Sequence, residues 1–198
     1  MQKTTHATVA SVLGSVFTYQ EARNAGLSHR RIYAMRDAGE LTSLGGGVYR
    51  RSDAPLADLN LIEIAERVPM ATLCLETALA RHGLIDAIPI AIDVAIPRGS
   101  HRPVLKTAHR LHNFDRATFE VGRELTEVGA RRPLGIYSAE RSLIDFVRLR
   151  HEQGSDQAWE ALRRWLATPG RNPGQLVRLA AQFHGAETPL RRALEVLL

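Results

Sequence analysis

VFTYQEARNAGLSHRRIYAMRDAGELTSLGGGVYRR, residues 16–51, is the stretch whose reading decides the fold. Thr18 and Glu21 form a capping box, in which the hydroxyl accepts from an early helical N–H and the carboxylate reaches back to the cap. A helix is therefore predicted from Tyr19 to Gly26, the glycine taking the left-handed residue at its end. Leu27 packs, Ser28 caps a second helix over His29–Ala38, and Gly39 closes it. Leu41–Leu44, three glycines and Val48–Arg51 then read as a hairpin, because glycine supplies the positive φ that a tight reversal needs. Val16 and Phe17 form a first small strand. Two helices joined by a short turn and followed by a hairpin make a winged helix-turn-helix, with the hairpin as wing.

The second helix has one decided face. Ile32 and Met35, three apart, share the buried side with Leu27 and Leu41. His29, Arg30, Tyr33 and Asp37 are left outside, with Arg31 and Arg36 at the edges. Ser, His and Arg in the first turn are donors for phosphate and guanine edges, assisted by the positive end of the helix dipole. The candidate DNA contacts are Thr18, Ser28, His29, Arg30, Arg31, Tyr33, Arg36, Gly46, Arg50 and Arg51, the last two leaving the wing as phosphate contacts. Helix-turn-helix shapes also occur in proteins that bind no DNA, and surface arginines are commonly just solvated. Charge favours the sharper reading: most of the formal +5 of the chain lies in residues 1–52, which hold seven Lys and Arg against three Asp and Glu.

With 198 residues, 44% of them hydrophobic, the chain can fill two cores. It lacks an apolar run of about 18 residues, and MQKTTHATVASVLG has no continuous apolar core of the signal-peptide kind, so a cytoplasmic protein without a membrane span is expected. The single cysteine, Cys74, lies in an apolar run and suits a buried hydrophobe; an intramolecular disulfide is excluded.

The rest of the chain extends this reading to an α+β protein. Thr5–Leu13 is a short supporting helix. Ser52–Pro55 is a hinge, dividing a reader domain, 1–54, from a second domain, 55–198. The second domain opens with an amphipathic helix over Asp58–Val68, a buried strand in Met70–Leu75 and a helix over Glu76–His82. Ile88–Ile96, IPIAIDVAI, is the strongest strand, apolar on both faces except for Asp93. Val104–Phe114, Leu125–Val128 and Leu134–Tyr137 follow as strands, giving a mixed α/β domain. Ser138 caps the helix AERSLIDFVRLR. A helical C-terminal tail follows, over Asp156–Ala167, Pro173–Phe183 and Pro189 onward, the last two opening with proline after caps Asn172 and Thr188.

The catalytic patterns that the sequence approaches are incomplete. A nucleotidyltransferase places Gly-Ser before paired acids that hold magnesium, but Gly99-Ser100 is followed by His101 and Arg102, and Asp93 has no partner two residues on. The only lysines, Lys3 and Lys106, do not stand two residues after an acid as a nuclease core requires. His109 and His112, at odd spacing in a strand, point to opposite faces. Neither an enzyme nor a metal or cofactor is expected. Arg98, Arg102, Lys106 and Arg110 form a further basic region, either a solvated surface or a second anionic contact. Arg141 and Asp145 lie four apart on the helix that Ser138 opens, and fit either an intrahelical ion pair or partner recognition.

In order and spacing, GGGVYRR, ETALARHGL, DVAIPRG and SAERSLIDFVRLR with its Arg- and Leu-rich tail resemble the AbiEi antitoxins of type IV toxin–antitoxin systems. The resemblance covers nearly the whole chain. It implies an autorepressor that binds inverted repeats in double-stranded promoter DNA through the winged helix-turn-helix. Because one reader of this size covers only a few base pairs and the chain lacks an obvious coiled coil, a monomer that pairs on DNA is expected. It also implies a second domain that counters a nucleotidyltransferase-like toxin, with Arg141, Ser142 and Asp145 as its motif. Glu76-Thr77 departs from the small residues expected there. The alternative from another class is a winged-helix regulator that senses a small ligand and has no toxin.

Overall fold

In the computed structural model, which describes residues 13–153 and 155–197, the chain is α+β and forms two compact units. The predicted helix over Thr5–Leu13 falls, apart from Leu13, outside the described residues. The first unit comprises the chain up to Pro69 with 103–107 and 126–134. The second comprises 70–102, 108–125 and 135–198. The boundary drawn after residue 54 thus falls inside the first unit. The reason is Ile62, fully buried with Val16, Leu44 and Val48 against the first sheet.

That sheet has the order β1 (Val16–Thr18), β3 (Val48–Arg51), β2 (Leu41–Gly45), all antiparallel. Between β1 and β2 run α1 (Tyr19–Asn24) and α2 (His29–Asp37). Their buried Ala22, Ile32 and Met35 meet Phe17, Leu27, Leu41 and Tyr49 in one core. α3 (Leu59–Arg67) starts where Asp58 Oδ1 accepts from the Asn60 N–H at 2.9 Å, and stops before Pro69. Its polar edge is buried too. Glu63 accepts from the Lys106 N–H at 2.8 Å, the Thr107 N–H at 3.0 Å and the Thr107 hydroxyl at 2.6 Å. Glu66 accepts from Arg131 Nε at 2.8 Å, and Arg131 Nη1 reaches Glu21 at 2.8 Å, joining the capping box to α3 within the unit.

In the second unit a five-stranded mixed sheet has the order β6 (His109–Phe114), β5 (Ile92–Pro97), β4 (Thr72–Leu73), β8 (Leu134–Tyr137), β7 (Arg123–Thr126). β5 is parallel to β6 and antiparallel to β4, which is parallel to β8. Three strands are shorter than the apolar pattern predicts: β4 keeps only Thr72–Leu73 of Met70–Leu75, and β5 and β6 both begin late. Ile88 and Ile90 are almost fully exposed and β5 begins only at Ile92, because Pro89 has no N–H to give a ladder. β6 begins at His109 because the N–H groups of Lys106 and Thr107 are spent on Glu63. β7 keeps the predicted length but is displaced by two residues, to Arg123–Thr126 in place of Leu125–Val128.

α4 (Leu75–Arg81) and α5 (Ala139–Arg148) are followed by α6 (Arg150–Gln153), α7 (Ser155–Ala167), α8 (Pro173–Ala180) and α9 (Glu187–Leu197). Asn172 caps α8 as expected. Thr188 does not cap α9, which begins at Glu187; Pro189 is tolerated there because N–H groups of a first turn lack helical partners anyway. Ser138 caps α5, its Oγ accepting from the Arg141 N–H at 3.2 Å.

Arg141 is 1% exposed and Asp145 is fully buried. Arg141 Nε donates to Asp145 Oδ2 at 2.7 Å, while Nη1 donates to the carbonyls of Thr118 at 2.6 Å and Val121 at 2.7 Å. The guanidinium lies 4.3 Å from the Tyr137 ring centre and 4.1 Å from that of Phe183. Arg148 gives Asp145 a second partner at 3.0 Å. Of the two readings, the internal ion pair describes what these side chains do, and with Ser142 also buried the motif has no exposed member.

Two outcomes follow for stability. Arg141→Ala is expected to destabilise by about 3–5 kcal/mol, since it strands a buried carboxylate, and Arg141→Met with Asp145→Leu to recover part of that loss in denaturant unfolding. For Glu63, burial alone raises the pKa, but hydrogen bonds from Lys106 and Thr107 outweigh it and the net shift is downward. Its stabilisation is therefore complete above the unfolded carboxylate range and is lost as pH falls through the lower folded value. Glu63→Gln should cost about 1–3 kcal/mol at pH 7, and unfolding curves of the two proteins should converge towards acid pH.

Candidate nucleic-acid interface

Local chemistry sets the geometry of α2. Ser28 Oγ accepts from the Arg31 N–H at 3.1 Å, fixing where the helix begins, and Gly26 and Gly39 take φ of +89° and +75° at the turns on either side. With Ile32 and Met35 inward, His29, Arg30, Tyr33 and Asp37 are exposed, as the periodicity predicts. The exposed residues are organised. The His29 and Tyr33 rings stack at 4.3 Å between centres, Tyr19 meets His29 edge-on at 6.0 Å, and Arg36 lies 4.5 Å from the Tyr33 ring centre.

The cations differ in availability. Arg36 donates to Asp37 at 2.7 Å, which raises its pKa, and Arg31 stands 3.9 Å from Glu40. Arg30 has neither ion pair nor hydrogen bond among the described residues, so its guanidinium can be offered outward without breaking a contact. Thr18 is engaged in the capping box, its hydroxyl donating to Glu21 at 2.8 Å. That box, through the Thr18 N–H first, holds the Glu21 carboxyl below its usual range.

In the hairpin, Gly45, Gly46 and Gly47 all have positive φ, and Gly46 is exposed at the turn. The two arginines after it do not stand as expected. Arg50 is only 8% exposed and is spent inward on the carbonyls of Arg51 and Pro55. Alternating β3 residues face opposite sides of a sheet, and position 50 is a covered one. Arg51 is held by Asp53, with Nε at 2.8 Å from Oδ1, which raises its pKa. The 52–55 segment is thus tied to the hairpin by two guanidinium groups.

Two cations from outside the 16–51 stretch, Arg67 and the Lys106 of the second basic region, lie beside the hairpin. A side chain on Gly46 would come within 2.9 Å of Arg67 Nε, and one on Gly45 within 2.9 Å of Arg67 Nη1. Lys106 Nζ donates to the Ser43 carbonyl at 3.2 Å. Neither is predictable from spacing, because both are brought in by α3 and by the segment that Glu63 holds.

The second basic region is largely consumed by internal contacts. Lys106 belongs to the first unit and serves Ser43, whereas the other three lie in the second. Arg102 donates to the Leu111 carbonyl at 2.9 Å. Arg110 donates to Asp93 and Glu76, both at 3.1 Å, and His112 Nε2 lies 2.9 Å from Asp93. Arg98 alone of the four is exposed with no side-chain hydrogen bond or ion pair among the described residues. Asp93, the polar break in the β5 pattern, is therefore the buried centre of a charge cluster, and Thr77 accepts its N–H at 2.8 Å. Among the described residues no cluster of His, Cys, Asp and Glu has metal-binding geometry. Cys74 is fully buried, which raises its thiol pKa well above the ordinary value. No described helix is long and apolar enough to cross a membrane.

No family model matches the chain, nor does any curated protein. Among solved structures it is similar to the crystal structure of the RV2827C protein from Mycobacterium tuberculosis, with a TM-score of 0.64 over 96% of this chain and 74% of that one. At 17% identity the likeness is one of fold.

The hairpin permits a direct test. Gly46→Ala should destabilise by about 1–2 kcal/mol from its left-handed backbone, beyond any cost of displacing Arg67. Thermal unfolding of Gly46→Ala with and without Arg67→Ala separates the two, since removing Arg67 relieves only the contact.

Proposed function

We propose that this chain is a DNA-binding repressor whose first unit is a winged helix-turn-helix, with α2 as reading helix and the β2–β3 hairpin as wing. The observation that carries this reading is the outer face of α2. It offers an unpaired Arg30 and a stacked His29–Tyr33 pair on a helix whose other side is sealed by Ile32 and Met35. Base-edge contact comes from Arg30, Tyr33 and His29, with Arg31 and Arg36 towards phosphate. Arg50 serves the hairpin's structure instead, and Arg67 and Lys106 join the cations around the wing.

The sequence resemblance supports the fuller proposal of an AbiEi-like antitoxin, which represses its own operon at inverted repeats and counters a nucleotidyltransferase-like toxin. In that proposal the buried Arg141–Asp145 pair acts by holding α5 in place, not by touching a partner. One reader covers a few base pairs, so two copies load, one per half-site.

Footprinting the full chain on its own promoter is the test, with paired protected half-sites expected. Arg30→Ala and Tyr33→Ala should each weaken operator binding by about 1–3 kcal/mol with unchanged thermal stability. Operator affinity that both variants leave intact would remove α2 from the interface. Co-expression with a nucleotidyltransferase-like toxin encoded beside this chain, if its operon carries one, tests the antitoxin role separately by growth: repression without rescue, or an operon without such a gene, leaves a repressor that is no antitoxin.

A further inference from the structure

The helical tail of the second unit holds a cleft of about 530 Å³ that DNA reading does not use. Trp159 of α7 and Pro189, Ala193 and Leu197 of α9 supply its apolar lining, and Val196, 85% exposed, adds to it. Arg150, Arg163 and Arg192 also line it, and among the described residues no lining residue is acidic.

These arginines differ from their neighbours on the same helices. Arg164 is engaged by Asp86 and by Glu160, and Arg191 donates to Glu187 at 2.7 Å. Arg163 and Arg192, one position along from each, turn to the cleft and have no ion pair or hydrogen bond among the described residues. Arg150 spends one donor on the Val147 carbonyl at 3.0 Å and keeps the rest. An apolar concavity of this size with a few convergent polar groups is the usual form of a small-molecule site. Guanidinium forks match the two oxygens of an anionic head, and cations without an ion pair among the described residues, set beside exposed apolar side chains, make an amphipathic anion the complementary ligand.

We propose that this cleft binds a single-tailed amphipathic anion, with its hydrocarbon body against Trp159, Ala193 and Val196 and its carboxylate or phosphate head on Arg163 and Arg192. The site is independent of the DNA-binding reading, because it lies in the second unit and is assayed without DNA.

The chain has two tryptophans. Trp165 is buried and donates to Glu140 at 3.0 Å, so a ligand-induced change in emission reports Trp159. The full-length protein is titrated with decanoate, decyl phosphate, decan-1-ol and acetate, following fluorescence and, in parallel, heat of binding. Saturable binding of decanoate or decyl phosphate is expected, with decan-1-ol and acetate at least tenfold weaker; whichever anion binds more tightly identifies the head group. Arg163→Gln with Arg192→Gln should weaken the anions at least tenfold at unchanged melting temperature, and Trp159→Phe should abolish the fluorescence change while heat of binding persists. Absence of saturation, equal binding of decan-1-ol, or undiminished binding by the folded double variant would overturn the proposal. So would binding of an acidic amphipathic peptide with none of either small anion, which would make the cleft a protein-docking surface.

Discussion

A carboxylate removed from water must find its hydrogen bonds in the protein, and Glu63 finds them in the backbone of Lys106 and Thr107. That requirement organises the first unit. It holds residues 103–107 against α3, brings Lys106 to the β2 carbonyl of Ser43, and denies the same residues to the β6 ladder. On the same helix Arg67, 3.4 Å from Glu63, lies across Gly45 and Gly46. One buried acid thus influences both the length of a strand and the surroundings of the hairpin turn.

The second unit depends on an arginine in the corresponding way. Arg141 sits in the first turn of α5, where the helix dipole disfavours a cation. Its compensation is Asp145 one turn on, two carbonyls from the 118–121 segment, and aromatic faces above it. Tyr137, against that guanidinium, is itself buried, which raises its pKa, and its hydroxyl donates to the Phe119 carbonyl at 2.9 Å. Charge here is structural: it joins helix, strand and loop where purely apolar packing would leave carbonyls unsatisfied.

The cations of the molecule divide accordingly. Arg50, Arg110, Arg131 and Arg141 satisfy internal acceptors, whereas Arg30, Arg163 and Arg192 have no ion pair or hydrogen bond among the described residues. Net charge cannot make that distinction, because an arginine buried on a carbonyl contributes the same formal charge as one facing solvent. For α2 and the helical tail, it is the unspent arginines that give a surface something to bind with.

Sequence by itself determined the local elements. Thr18, Ser28, Asp58, Ser138 and Asn172 each begin a helix because a side-chain oxygen reaches an N–H only two or three residues on, and such contacts need no tertiary context. The outer face of α2 was legible for the same reason, since helical spacing alone assigns Ile32 and Met35 inward and Arg30 and Tyr33 outward. Tertiary structure decided what distant residues share. Ile62 extended the first unit beyond residue 54, Glu63 shortened β6, and Pro55 captured Arg50. Asp93, which looked like an isolated acid, gathered Arg110 and His112 from a strand 17 to 19 residues away. Each of those outcomes depends on a polar group finding its partner across the fold, and no periodicity along the chain encodes which partner will arrive.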